Sequence, residues 1–156
     1  MAVSTHPQLE PATWRDELSI KIRSIDEEHR LLMTVLNRII DCRGSPTQYS
    51  TADRALRDLF AYADYHFEHE EDLMTSYEYP GINEHKAQHL IFITKLRQMD
   101  RELTTGIASV DDLARFIMEW FVIHIQMFDM EMGVFLAERM RPERSPFEFE
   151  TYRISV

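Results

Sequence analysis

The sequence predicts an all-α protein, an antiparallel up-down-up-down four-helix bundle. Three observations carry this. Apolar residues recur at helical spacing in four separate stretches, and short turn-rich segments join those stretches. Each stretch also places histidine or carboxylate on or beside its apolar stripe. Short connections force neighbouring helices to run antiparallel, which leaves the bundle as the economical solution.

Residues 1–18 read as an N-terminal arm, polar and punctuated by proline, without the basic start or apolar run of a secretory signal. The bundle is expected over residues 19–141. Its first helix, about 19–42, is marked by Ile22, Ile25, Leu32, Leu36, Ile39 and Ile40, and Gly44-Ser45-Pro46 ends it. The second carries Leu56, Leu59, Phe60, Ala63, Phe67 and Met74 and stops before Pro80-Gly81. A third runs from about 82 to 103 on Phe92, Leu96 and Met99 and ends near Gly106. Ser109, followed by Asp111 and Asp112, supplies a hydroxyl cap and acids at the positive end of the fourth. That helix continues on Leu113, Ile117, Trp120, Met127 and Phe135 until Pro142. The tail, 142–156, scatters Phe147, Phe149, Tyr152, Ile154 and Val156 among charges; it reads as a loosely packed terminus before it reads as a docking segment.

Composition narrows the setting. A chain of 156 residues suits one domain, and 44% hydrophobic with 28% charged residues is ordinary for a soluble globular protein. The net charge of −10 argues against nucleic acid and anionic membrane as partners. The single Cys42 cannot form an intrachain disulfide, so a cytoplasmic location is expected. The most apolar run, 116–128, is interrupted by Glu119, His124 and Gln126 and is not expected to span a bilayer. With no exposed apolar seam evident ahead of the tail, a monomer is expected.

The chemistry lies in His29, His66 with Glu70, His85 with His89, and His124 with Asp129. His66/Glu70 and His85/His89 are spaced i, i+4 and so share one helix face. His29 lies between Ile25 and Leu32, and His124 between Trp120 and Met127, on apolar stripes. One such histidine would be an ordinary core imidazole. Inward-facing sites on all four helices point to a buried metal centre, because so many ionisable groups in a core are costly unless coordinated. Imidazole-rich donors with two carboxylates able to bridge suit a pair of transition-metal ions. The second carboxylate stays open on spacing alone. At about 100° per residue, Asp129 falls roughly 140° round an ideal helix from His124, whereas Glu131 falls nearly beneath it.

The segments Ile25-Asp26-Glu27-Glu28-His29, His66-Phe67-Glu68-His69-Glu70-Glu71, His85-Lys86-Ala87-Gln88-His89 and His124-Ile125-Gln126-Met127-Phe128-Asp129 closely resemble the hemerythrins. Trp14 also matches their bacterial branch, the bacteriohemerythrins. The likeness spans roughly residues 14–140. It departs at Glu28, where the family usually has an amide, and in the tail. The resemblance implies two iron ions joined by an oxo or hydroxo bridge. Glu70 and Asp129 would each bridge both, so the family pattern selects Asp129 over Glu131. His85, His89 and His124 would hold one iron, and His29 and His66 the other, leaving one position open for dioxygen.

Reversible binding needs a small, dry pocket, for which Leu32, Phe67, Trp120, Val122 and Ile125 are the candidates; Val122 and Ile125 precede Asp129 by seven and four residues. Glu28 is a candidate route for water. His6 and His69 read as solvent-side groups, and Tyr62, Tyr65 and Tyr77 as surface or packing residues.

The implied function is oxygen storage, delivery to an oxygen-consuming enzyme, or sensing, and not catalysis. The rival is a di-iron oxidase, ferroxidase or iron-handling protein, but ferritin-like enzymes use Glu-x-x-His pairs, and here only Asp26 stands three residues before a histidine of the set. A zinc bundle is the third reading, and it leaves the number of converging donors unexplained.

Overall fold

The computed structural model describes residues 9–140. Four helices form the expected antiparallel bundle: α1 (Arg23–Cys42), α2 (Gln48–Ser76), α3 (Ile82–Thr104) and α4 (Val110–Arg139). No strand occurs among the described residues. The tail 142–156 and His6 lie outside them.

α1 begins four residues later than the periodicity predicts, and Asp26 explains why. Its carboxylate accepts hydrogen bonds from the Ile20 backbone N–H at 2.9 Å and from the Ser19 hydroxyl at 2.6 Å. Those bonds hold residues 19–22 as an extended strap, and Lys21 takes a positive φ of 66°. Ile20 and Ile22 are buried, so the strap belongs to the core. It crosses α4 at Gly133, where an added Cβ would sit 2.6 Å from the Ile20 carbonyl oxygen. Only glycine allows that approach. Further upstream, Asn37 holds the Ala12 backbone through both N–H and carbonyl, at 2.7 and 2.8 Å.

α4 starts as predicted. The Ser109 hydroxyl accepts from the Asp112 N–H at 3.1 Å, and the Asp112 carboxylate accepts from the Ser109 N–H at 2.8 Å, a reciprocal capping box. α4 is also long and apolar enough to cross a membrane by length and composition. In the bundle, Val110, Leu113, Ala114, Ile117 and Phe121 place that apolarity in the core.

Towards one end the interior is aliphatic, with Leu36, Ile39, Leu56, Leu59, Leu96 and Leu113 all nearly inaccessible. The ionisable residues of all four helices meet nearer the other end, between this core and a layer of Ile25, Met74, Met132 and Leu136. Several large apolar side chains stay exposed, among them Leu90, Ile91, Ile123, Met127 and Val134. These were not foreseen from the sequence.

Candidate metal centre

The course of α4 decides the site. Between Ile125 and Asp129 the helix opens into a five-residue π turn, with the Met130 N–H bonding to the Ile125 carbonyl. The wider turn absorbs one extra residue, so Asp129 follows His124 as an i+4 neighbour would in a regular helix. Asp129 is fully buried, and Glu131 is exposed. Regular spacing favours Glu131 only because it does not anticipate this turn.

His29, His66, Glu70, His85, His89, His124 and Asp129 are all buried and converge. They form two sets whose donor atoms lie within 4.8 Å of one another: His29, His66, Glu70 and Asp129, and Glu70, His85, His89 and His124. The carboxylate oxygens divide between them. Glu70 Oε1 faces His66 Nε2 at 3.4 Å and His29 Nε2 at 3.9 Å. Its Oε2 faces His89 Nε2 at 3.1 Å and His85 Nε2 at 3.4 Å. Asp129 turns Oδ2 to His29 at 3.2 Å, and Oδ1 to His124 at 3.0 Å and His85 at 3.1 Å. Each carboxylate thus turns one oxygen toward the α1/α2 imidazoles, Glu70 to His29 and His66 and Asp129 to His29, and the other toward the imidazoles of α3 and α4.

Most of the atoms that converge lack ordinary partners, apart from His89 Nε2 and His124 Nε2, which lie 3.2 Å from each other. Both oxygens of Glu70 and of Asp129, and the Nε2 atoms of His29 and His85, are buried without a hydrogen bond of good geometry. Leaving such groups unsatisfied costs on the order of 1–3 kcal/mol each, and more for ions. A pair of cations is the chemistry that would satisfy all of them at once. The donors, five imidazoles and two bridging carboxylates, fit two borderline transition-metal ions and not calcium, which takes oxygen ligands.

Electrostatics poises the carboxylates to bind. Burial and the nearby Asp129 push the Glu70 carboxyl up, but the imidazoles of His66, His85 and His89 outweigh them and hold it ionised, well below the usual range. Burial likewise opposes ionisation of Asp129, and His124, His29 and His85 overcome it. For His85, burial favours the neutral ring, yet Asp129 and Glu70 raise its pKa to about 9. His124 goes the other way: burial lowers it despite Asp129.

Around the centre, three imidazoles are held by carboxylates. His66 Nδ1–H donates to Glu28 Oε2 at 2.8 Å, and His69 Nδ1–H donates to Glu28 Oε1 at 2.6 Å. His89 Nδ1–H donates to Glu71 Oε1 at 3.1 Å, and Lys86 Nζ lies 2.9 Å from Glu71 Oε2. Donation from Nδ1 leaves Nε2 as a bare lone pair aimed inward, the tautomer a ligand needs. His69 is therefore not the free solvent-side group expected of it. Glu28 fills its place instead of opening one to water: burial raises its carboxyl, and the bonds from His66 and His69 bring it below its ordinary value.

An enclosed, mostly apolar cavity of about 20 Å³ adjoins the centre. Of the five predicted pocket residues, Leu32, Phe67 and Trp120 line it, and Val122 and Ile125 do not. The π turn accounts for the correction. It moves the Asp129 face back by one residue, so His124, Phe121, Trp120 and Ile117 join Asp129 as the α4 residues at the wall. Leu36, Leu59, Ala63 and Phe92 complete it, and α-helical spacing from the histidines could have found them. The donors bordering the cavity are His29, His66, His124 and Asp129. Of the three tyrosines, Tyr62 and Tyr65 are exposed and Tyr77 packs on the core edge.

The family model for the Hemerythrin HHE cation binding domain matches residues 21–135. A bacteriohemerythrin of Stenotrophomonas maltophilia is 29% identical over 113 residues, covering 72% of this chain and 73% of that protein. One of Clostridium acetobutylicum is 29% identical over 126 residues, covering 76% of this chain and 95% of the relative. The crystal structure of a wild-type hemerythrin superposes with a TM-score of 0.74 at 26% identity, over 81% of this chain and 98% of that one.

Proposed function

Because the chain belongs to the hemerythrin HHE cation-binding family, we propose that it binds dioxygen reversibly at two iron ions. His85, His89 and His124 would hold one ion, His29 and His66 the other, and Glu70 and Asp129 would be shared between them. The observation that carries this reading is the division of the carboxylate oxygens, one facing each imidazole group. Bound there, the two irons would supply the electrons that make oxygen binding both tight and reversible.

The residues of the chain do the rest. Three imidazoles against two leave the His29/His66 side one donor short, and the cavity touches both of those rings but only His124 of the other group. Leu32, Leu36, Leu59 and Ile117 give it apolar walls that exclude water and protons. Its volume of about 20 Å³ suits a diatomic ligand, which favours a carrier or store. Phe67 lines both this cavity and the outer groove between α2 and α3, so it stands where a small ligand would enter.

The test is to load the purified protein with iron, reduce it without air, admit oxygen and record the visible spectrum. Two irons per chain and a charge-transfer band that disappears again under vacuum support the reading. Irreversible oxidation with turnover of a co-substrate identifies an oxidase or ferroxidase, and a single colourless zinc ion excludes both.

A further inference from the structure

The His66 side of the centre depends on a residue outside the donor set. We infer that Glu28 is the positioning residue for His66, and that His69 holds Glu28 in place, so that one carboxylate determines how well the two-imidazole ion binds. This rests on the dinuclear reading above.

Glu28 immediately precedes His29 on α1, and its two oxygens reach two histidines on α2, His66 at 2.8 Å and His69 at 2.6 Å. His66 and His69 are three residues apart and therefore on adjoining parts of one helix face. One side chain thus ties together the two helices that carry His29 and His66. His69 has no place among the converging donors. Its side chain is 29% exposed, and its hydrogen-bonding contact is the outer oxygen of Glu28. Its position makes sense as a brace.

The two imidazoles of this group are held differently. His29 Nδ1 is buried without a partner, so packing against Trp14 and Phe121 orients the ring. His66 has its Nδ1–H fixed by the Glu28 carboxylate. Without that acceptor, nothing reserves the proton for Nδ1, and an imidazole protonated on Nε2 cannot donate a lone pair inward. The charge also matters, because a carboxylate accepting Nδ1–H makes the opposite nitrogen a stronger donor. The three-imidazole group has its own equivalent in Glu71, so loss of Glu28 acts on one ion only.

Stepwise titration of the metal-free protein with cobalt(II), followed by its visible d–d absorption, reads the two ions separately. Wild type should take up two per chain. In Glu28→Ala the first ion should bind as in wild type, and the second about 10- to 100-fold more weakly. Glu28→Gln keeps an oxygen acceptor and should recover most of that loss, and His69→Ala should produce a smaller loss of the same kind. Unchanged binding of both ions in Glu28→Ala, or equal weakening of both, would overturn the inference. A wild type that takes up fewer than two cobalt ions would overturn the dinuclear reading and this inference with it.

Discussion

The two halves of the centre are built by different means. On the α3/α4 side, rings clamp rings. His89 stacks on Phe67 with centroids 3.8 Å apart, and His124 lies between Trp120 at 4.3 Å and Phe128 at 5.5 Å. The inner cavity reaches neither His85 nor His89, and of this group it borders only His124. On the α1/α2 side, His29 meets Phe121 only edge-on at 5.6 Å, and both His29 and His66 border the cavity. His66 there is oriented from outside, through Glu28. On one half stacked rings crowd the imidazoles and only His124 reaches the cavity; on the other both imidazoles border it. The asymmetry in donor number and the asymmetry in packing point to the same side.

The most drastic way to break this contrast is to remove a residue that serves both halves. Glu70→Ala should abolish dinuclear binding and leave at most one ion per chain, measured by elemental analysis. Retention of two would show that Glu70 does not bridge. Next in size is a change confined to the open half. Leu32→Phe inserts bulk into a cavity of about 20 Å³, at an overpacking cost of about 1–3 kcal/mol. Two ions should still bind, while azide affinity falls by about tenfold or more, titrated optically.

A third prediction concerns the metal-free protein. Asp129 and Glu70 raise the pKa of His85 to about 9 against the neutralising effect of burial. A raised histidine stabilises the fold fully below its unfolded value near 6.5, and that stability is lost as pH rises through 9. The melting temperature of metal-free protein should therefore fall from pH 6.5 to 9 by on the order of 5 °C. Metal-loaded protein, whose imidazoles have already lost their protons, should show a flatter profile by calorimetry.

The smallest expected effect tests how Asp129 reaches both halves. Deleting the exposed Gln126 should turn the π turn into a regular one and leave Asp129 four residues after His124, still facing inward. Two ions per chain and a melting temperature within about 5 °C of wild type are expected. Loss of an ion would mean that the π turn does more than keep register.

The same turn marks the limit of what the sequence discloses. The bundle, the cap at Ser109 and the inward set His29, His66, Glu70, His85, His89 and His124 were legible, because each follows from regular helical spacing and local turn chemistry. Asp129 was not, and needed the family pattern. No local propensity signals that a helix will open by one residue at Ile125, and the wrong choice of Val122 and Ile125 has that same cause. The late start of α1 was hidden for a different reason: Asp26 reads as a helix residue, yet its side chain competes with the helix by capturing the backbone of residue 20. The role of His69 depends on a carboxylate 41 positions away, which no spacing rule reaches.

The central claim is that the ligand seat lies on the two-imidazole side. A crystal structure of the iron-loaded protein with azide tests it most directly. Two ions are expected, with azide on the one held by His29 and His66 and its free end in the cavity between Leu32 and Phe121. Azide on the ion held by His85, His89 and His124 would contradict it.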